Sequence, residues 1–230
     1  MKQDIIPMIQ LSICFLSLFG LSEVLYYFLK VPVEWSRKVS HIGTGFLTML
    51  FPVWLHSHWS VLILCGSFFV ILVVSKKMKL LQSINGIKRE SHGSASYPII
   101  VYICFVAWQL STEDYKDPIG LGWFYLPILT MALADPTAAF VGSRWPIGRF
   151  RIGIDTKSFS GCLAFFSVAF SLAVLFLEPA VAFFPSALIF AFVVSLAGTL
   201  AEALSSKGFD NFTIPAAVLI SLTLCLPLVL

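Results

Sequence analysis

The run Ala134-Asp135-Pro136-Thr137-Ala138-Ala139-Phe140-Val141-Gly142-Ser143-Arg144-Trp145-Pro146-Ile147-Gly148-Arg149-Phe150-Arg151-Ile152-Gly153-Ile154-Asp155-Thr156-Lys157-Ser158-Phe159-Ser160-Gly161 sets an acid inside an apolar segment. It then strings four glycines, three arginines and a lysine along a short polar stretch before hydrophobic residues resume. Backbone N–H groups left open by glycine can approach phosphate oxygens closely, while arginine and lysine add fixed and mobile positive charge. A phosphate-handling loop at a membrane surface has this make-up. So does an ordinary cytoplasmic loop obeying the positive-charge bias of membrane proteins, and the flanking chain has to decide between them.

The flanks are apolar. With 58% hydrophobic and 12% charged residues and a mean hydropathy of +0.91, the 230 residues cannot clothe a soluble core in a wettable surface. A soluble enzyme and a nucleic-acid-binding protein are both excluded, and an all-α, polytopic transmembrane bundle in one domain, residues 1–230, is expected. A span needs about 20 mostly apolar residues. Eight candidates lie at roughly 5–29, 40–56, 58–75, 97–111, 121–142, 159–178, 182–204 and 212–230; the second and fourth are short, so seven is the alternative count.

Lysine and arginine orient these spans. The loops around 30–39, 76–96, 143–158 and 205–211 carry 13 of the 15 basic residues, leaving only Lys2 and Lys116 for the other side. The positive-inside rule therefore places the four basic loops in the cytoplasm and both termini outside. Trp54 and Trp59 beside one outer turn, and Trp108 and Trp123 beside the other, are expected as interfacial anchors. The first apolar run is too long for a cleaved signal segment and is expected to remain. Five cysteines, odd in number and scattered through apolar spans without CxxC spacing, point to neither a disulfide framework nor a thiolate metal site.

Several polar residues do not fit simple anchoring. Arg37 and Lys38 with His41 enter a helix start lightened by Gly43 and Gly45. Arg89-Glu90-Ser91-His92-Gly93 is more polar and glycine-marked than a lipid anchor requires. His56 and His58 at an outer turn have no carboxylate or thiol near them in sequence, so a metal pair there is not expected. Asp135 lies 12 residues beyond Trp123, about 18 Å along a helix and thus inside a hydrocarbon core about 30 Å thick. A carboxylate at that depth marks a functional site by default, and Ala138, Ala139 and Gly142 keep its face small. Glu202 repeats the pattern behind Ala197, Gly198 and Ala201, and Asp210-Asn211 opens the last span. Gly148 and Gly153 mimic the glycine spacing of a Walker A loop, but Lys157 does not directly follow the second glycine and no strand is expected before the loop.

In this topology Glu23, Glu34, Glu90, Asp135, Asp155, Glu202 and Asp210 gather at the same face as the basic loops. Carboxylates that can hold a divalent metal, beside Arg and Lys for phosphates, are the equipment of phosphoryl or nucleotidyl transfer. A nucleoside triphosphate would arrive from the cytoplasm and the second substrate from the lipid bilayer.

At these residues the chain resembles the polyprenol kinase family, which includes dolichol kinase, phytol kinase and CTP-dependent diacylglycerol kinase. The resemblance rests on Arg37-Lys38-x-x-His41, Asp135-Pro136-x-Ala138-Ala139 with Gly142, Gly153, Lys157-Ser158-x-x-Gly161, and Glu202-x-x-Ser205-x-x-Gly208-x-Asp210-Asn211-x-x-x-Pro215. Arg89-Glu90-x-x-Gly93 is a weaker echo. It implies transfer of the γ-phosphate of CTP, with Mg²⁺ or a similar cation, to the hydroxyl of a membrane lipid alcohol, at the cytoplasmic face of a bacterial inner membrane.

Asp135, Glu202 and Asp210 are then expected to hold the metal or the attacking hydroxyl. Arg37, Lys38 and Lys157 are expected to grip the CTP phosphates, with His41, Gly142, Gly153, Ser158, Gly161 and Asn211 around the nucleotide. Ser160 stands where the family usually has Glu. Phosphatidate cytidylyltransferases share a Lys-Ser/Thr and glycine loop, but their carboxylate cluster near a C-terminal Asp-Arg is missing here. A small transporter would show internal repeats and a midplane site, and neither is visible.

Overall fold

Helices form wherever the apolar runs allow, and the breaks between them follow proline, glycine and charge. The structure, a computed structural model, describes residues 2–87, 91–111, 118–177 and 184–225. After a 3-10 turn at Lys2–Asp4 come α1 (Ile5–Tyr27), α2 (Val33–Thr48), the short α3 (Phe51–Trp54), α4 (His58–Lys77), the short α5 (Gln82–Asn85) and α6 (Gly93–Ser111). A long composite helix follows, made of α7 (Pro118–Leu129), a π-helical turn (Thr130–Ala134) and α8 (Asp135–Arg144). Strands β1 (Arg149–Ile152) and β2 (Asp155–Ser158) lead into α9 (Phe159–Leu177), α10 (Phe184–Leu204) and α11 (Asp210–Cys225). Arg89, the acidic loop with Glu113, Asp114, Lys116 and Asp117, and the end of the last expected span lie outside the described residues.

Six helical stretches among the described residues are long and apolar enough to cross a membrane: Lys2–Tyr27, His58–Lys77, Gly93–Ser111, Gly120–Arg144, Phe159–Phe176 and Pro185–Leu204. The chain is an integral membrane protein, and its bundle is all-α apart from the hairpin. On α1, Ile5, Ile9, Ile13 and Leu16 stay exposed while Leu11, Phe15 and Phe19 are buried, as a helix between lipid and protein requires. Helix α11 is apolar but shorter, at 16 residues.

Two expectations change. The segment 40–56 is not one span: α2 begins at Val33, after Pro32 and with Glu34 in its first turn, and ends at Thr48 ahead of Pro52 in α3. Fixed φ makes proline suited to the start of a helix, and Pro32 precedes α2 as Pro52 sits in the first turn of α3. Trp108 is not an interfacial anchor either. It is 1% exposed and packs edge-on against Phe105 at 5.1 Å between ring centres.

The main core joins α1, α2, α4, α6 and α7 through aromatic contacts such as Phe15–Phe68 and Phe105–Phe124. A second, smaller cluster joins Leu126 of α7, Ala173 of α9, Ala191 and Val194 of α10, and Val218 and Leu222 of α11. Ala169 and Ala173 on α9, and Ala187 and Ala191 on α10, are buried one turn apart, letting the two backbones approach where apolar lipid offers no hydrophobic drive to associate.

Polar groups collect at the two ends. At one, Asp4 receives hydrogen bonds from Ser60 Oγ (2.7 Å) and the Ser57 amide (3.1 Å), with His56 Nδ1 at 3.3 Å. His56 thus has a carboxylate neighbour that is distant in sequence. At the other end the segments 31–40, 78–87, 91–92, 145–158 and 205–210 are tied together. The His92 amide donates to Lys207 O, Ser36 Oγ to Ser83 O, and the Ser83 amide to Glu23 Oε1.

Candidate active site

The π-helical turn and Asp135 are consequences of one residue. Pro136 has no N–H, so Ala132 O loses its partner one turn earlier and the helix widens across Thr130–Ala134. Within this turn Met131 O accepts a hydrogen bond from His41 Nε2 on α2 at 3.0 Å. The Asp135 carboxylate starts the next turn, with Oδ2 4.0 Å from the same nitrogen. Because Nε2 is already engaged by the carbonyl, the Asp135–His41 contact is the weaker of the two. Lys38 reaches across from α2 to Pro136 O at 3.4 Å.

The polar stretch 145–158 folds as an antiparallel hairpin instead of an open loop. Arg149 pairs with Ser158, Phe150 with Lys157, Arg151 with Thr156 and Ile152 with Asp155, around a two-residue Gly153-Ile154 turn. Gly153 takes φ +55°, which glycine adopts without strain. Alternation then sets Asp155 and Lys157 on one face. Asp155 is buried and accepts from the Lys207 amide at 2.8 Å, pinning the hairpin to the turn before α11.

Ser158 is the N-cap of α9, its Oγ accepting the Gly161 amide at 3.1 Å. Gly142 and Gly161 are where α8 and α9 nearly touch. A Cβ on Gly142 would lie 2.7 Å from Ser158 Oγ, and one on Gly161 would lie 3.0 Å from Ala138 O. Cap and close approach together fix where Lys157 emerges.

Lys157 Nζ bonds Glu202 Oε1, joining β2 to the last turn of α10; the two side chains are 15% and 6% exposed. Burial alone would lower the lysine's pKa, but Glu202, Asp210 and Asp135 outweigh it and hold the ammonium above its ordinary range. Asp210 opens α11, one residue beyond the turn residues Gly208 and Phe209, and accepts its neighbour's amide at 3.0 Å.

These groups line one cavity of about 460 Å³. Arg37, Lys38 and His41 come from α2; Asp135 and Gly142 from α8; Lys157, Ser158 and Gly161 from the β2–α9 junction; Glu202 and Asp210 from α10 and α11. Gly153 and Asn211 do not line it. Gly153 forms the hairpin turn, and Asn211 Nδ2 donates to Gly93 O at 2.9 Å, holding the start of α6. Ser160 also lies outside the lining. Its oxygen engages Trp145 O and the Ile147 amide at the base of the hairpin.

Asp155, one of the acids expected at this face, joins the walls, and so do Arg149 and Thr156, which had not been singled out from sequence. Their signal was the alternation Arg149-Phe150-Arg151-Ile152, a Gly-Ile turn and Asp155-Thr156-Lys157-Ser158, which spells a hairpin.

Among the described residues no three His, Cys, Asp or Glu side chains converge into a metal cage. The donors are nevertheless hard oxygens in a cavity that also holds Arg37, Lys38, Arg149 and Lys157. That set suits Mg²⁺, which commonly uses one or two carboxylates and completes its shell with water and substrate phosphates.

Fold and cavity together define an integral membrane protein with a mixed-charge cleft at one end of its helix bundle. The chain is 32% identical over 185 residues, 80% of its length and 76% of the relative's, to a phytol kinase of Synechocystis sp.. It belongs to the polyprenol kinase family. No family model matches the sequence, and no solved structure matches it.

Proposed function

We propose that this chain is a lipid-alcohol kinase that transfers the γ-phosphoryl group of CTP to the hydroxyl of a membrane lipid alcohol of the phytol or polyprenol class. The observation that carries the reading is the Lys157–Glu202 pair in a cavity whose walls also bring together Arg37, Lys38 and Arg149 with Asp135 and Asp210. The phytol kinase relative supports the acceptor class. CTP as donor and Mg²⁺ as cofactor rest on the family resemblance and the charge pattern.

In this mechanism Arg37, Lys38, Arg149 and Lys157 hold the triphosphate, since phosphoryl transfer depends mainly on positioning and charge neutralisation. The alcohol oxygen attacks the γ-phosphorus; the new O–P bond forms as the bond to the β,γ-bridging oxygen breaks, and CDP leaves. Asp135 takes the hydroxyl proton, and His41 beside it orients the acceptor. A bound Mg²⁺ would neutralise phosphate charge, and Asp210 and Glu202 would hold it.

Purified protein, labelled CTP and a panel of lipid alcohols test the proposal. A kinase yields a lipid monophosphate and CDP; a CDP-lipid with pyrophosphate would identify a cytidylyltransferase instead. The cavity is assigned to the cytoplasm by the positive-inside rule. Membrane-impermeant thiol reagents applied from outside should label Lys116→Cys and miss Phe150→Cys, and the reverse pattern overturns the orientation.

A further inference from the structure

A second cavity, of about 190 Å³, lies against the first, and Arg37 and His41 belong to the walls of both. Along α2 it is lined by Arg37, Ser40, His41, Thr44 and Thr48, one face of the helix at three- and four-residue steps. Eleven residues at 1.5 Å each give it a run of about 16 Å.

Polarity changes along that run. The lining divides into a polar group, Arg37 with Lys76, Ser91 and Ser94, where Lys76 Nζ donates to Ser91 O, and an apolar group, Phe15, Phe51, Leu64 and Cys65, all buried, where Phe15 packs edge-on to Phe51, three residues beyond Thr48. The mouth is therefore polar and shared with the charged cavity, and the far end is apolar. Arg37 Nε is buried and has no hydrogen-bond partner among the described residues, so a donor at this junction awaits an acceptor.

We propose that this cavity is the slot for the hydrocarbon tail of the acceptor alcohol, with the tail laid along α2 and the hydroxyl delivered between Arg37 and His41 to Asp135. The inference rests on the lipid-kinase reading and adds where the lipid lies. An apolar tail suits the far end, which offers it no hydrogen-bonding competition, and a hydroxyl suits the junction, where the Arg37 Nε–H can donate to its oxygen. His41 sits at the crossing because its Nε2 is committed to Met131 O, which holds the ring edge toward Asp135. Cys65 and Leu64 then act as specificity-determining residues without touching the reacting atoms.

A long isoprenoid alcohol carrying a diazirine near the tail terminus tests this on the full-length protein in detergent or nanodiscs. Photolysis should place the label on peptides containing Leu64, Cys65 or Phe15, and excess unlabelled alcohol should suppress it. Label confined to lipid-facing residues such as Ile9 or Ile13 overturns the slot.

The same probe incubated with labelled CTP reports phosphorylation separately. A phosphorylated probe with lipid-facing label refutes the slot and leaves the kinase standing, while slot labelling without phosphate on any alcohol supports the slot and refutes the kinase. Cys65→Phe fills the far end. It should raise KM for the long alcohol about tenfold or more, as pocket fit of a methylene or two is worth, and leave KM for CTP and for a short prenyl alcohol unchanged. Equal loss toward both alcohols in a folded variant would overturn the assignment of Cys65 to tail selection.

Discussion

Each end of the bundle buries acid, and the two ends treat it differently. Asp4 is fully buried, yet Ser60, Ser57 and His56 surround it with donors from the turn that it ties down. At the opposite end Asp135, Glu202 and Asp210 lie within electrostatic range of one another and share Lys157 as their central cation, while Asp135 stands 4.0 Å from His41. A carboxylate saturated by its own neighbours is a joint. Carboxylates that repel one another across an open cavity keep acceptor capacity for something that arrives, such as a proton, a cation or a hydroxyl.

Substitutions can break that contrast, and the largest effect belongs to Asp135. Asp135→Asn keeps the shape and removes the charge. Turnover should fall by about two orders of magnitude or more, with the protein still inserted and folded, because transition-state stabilisation is lost. Near-parental rates in folded Asp135→Asn, Glu202→Gln and Asp210→Asn would show the open acids to be joints as well.

Lys157→Ala should come next. It strips the buried Glu202 of its partner, a loss of about 3 kcal/mol or more for a buried pair, and it should weaken CTP binding more than metal dependence. Pairing it with Glu202→Gln separates the two effects: stability should recover in the double variant, read as thermal unfolding in detergent, while CTP affinity should not.

Asp4→Asn is the matched control. It should cost about 1–3 kcal/mol of stability through donors left without a charged acceptor, with kcat and both KM values of the folded protein unchanged.

The smallest expected effect concerns pH. The folded Lys157 pKa lies above its ordinary value, so its contribution is fully present below the ordinary lysine range and is lost only as pH rises through the raised value. CTP affinity should therefore stay flat from neutral pH to the ordinary lysine range and fall beyond it; a decline near pH 8 would contradict the pairing with Glu202.

Much of the architecture was legible because bilayer chemistry writes itself in long apolar runs, and much of the site because acids at helix ends are costly there. What escaped needed contacts between distant residues. Nothing near His56 in sequence announces Asp4. Arg37 and Lys38 read as a span boundary, whereas they sit inside α2 because a cavity, not lipid, faces them. The hairpin was hidden by the expectation that polar residues between spans form a loop. Ser158 and Gly161 line the cavity as expected of nucleotide-site residues, and what the sequence did not show is that they also cap α9 and admit α8.

The hairpin also has a parity. Lys157 reaches Glu202 from a strand whose neighbouring side chains point to opposite faces, and Asp155, two residues earlier, is bolted to the Lys207 amide. Inserting one residue between Asp155 and Lys157 would turn the lysine to the other face; inserting two would restore its side but displace it along the strand by about 7 Å, beyond Glu202. Changes in the outer turn at Gly153-Ile154 leave this spacing untouched. The cavity's central cation thus sits behind a counting rule of two residues, set within β2 and not by the hairpin's tip.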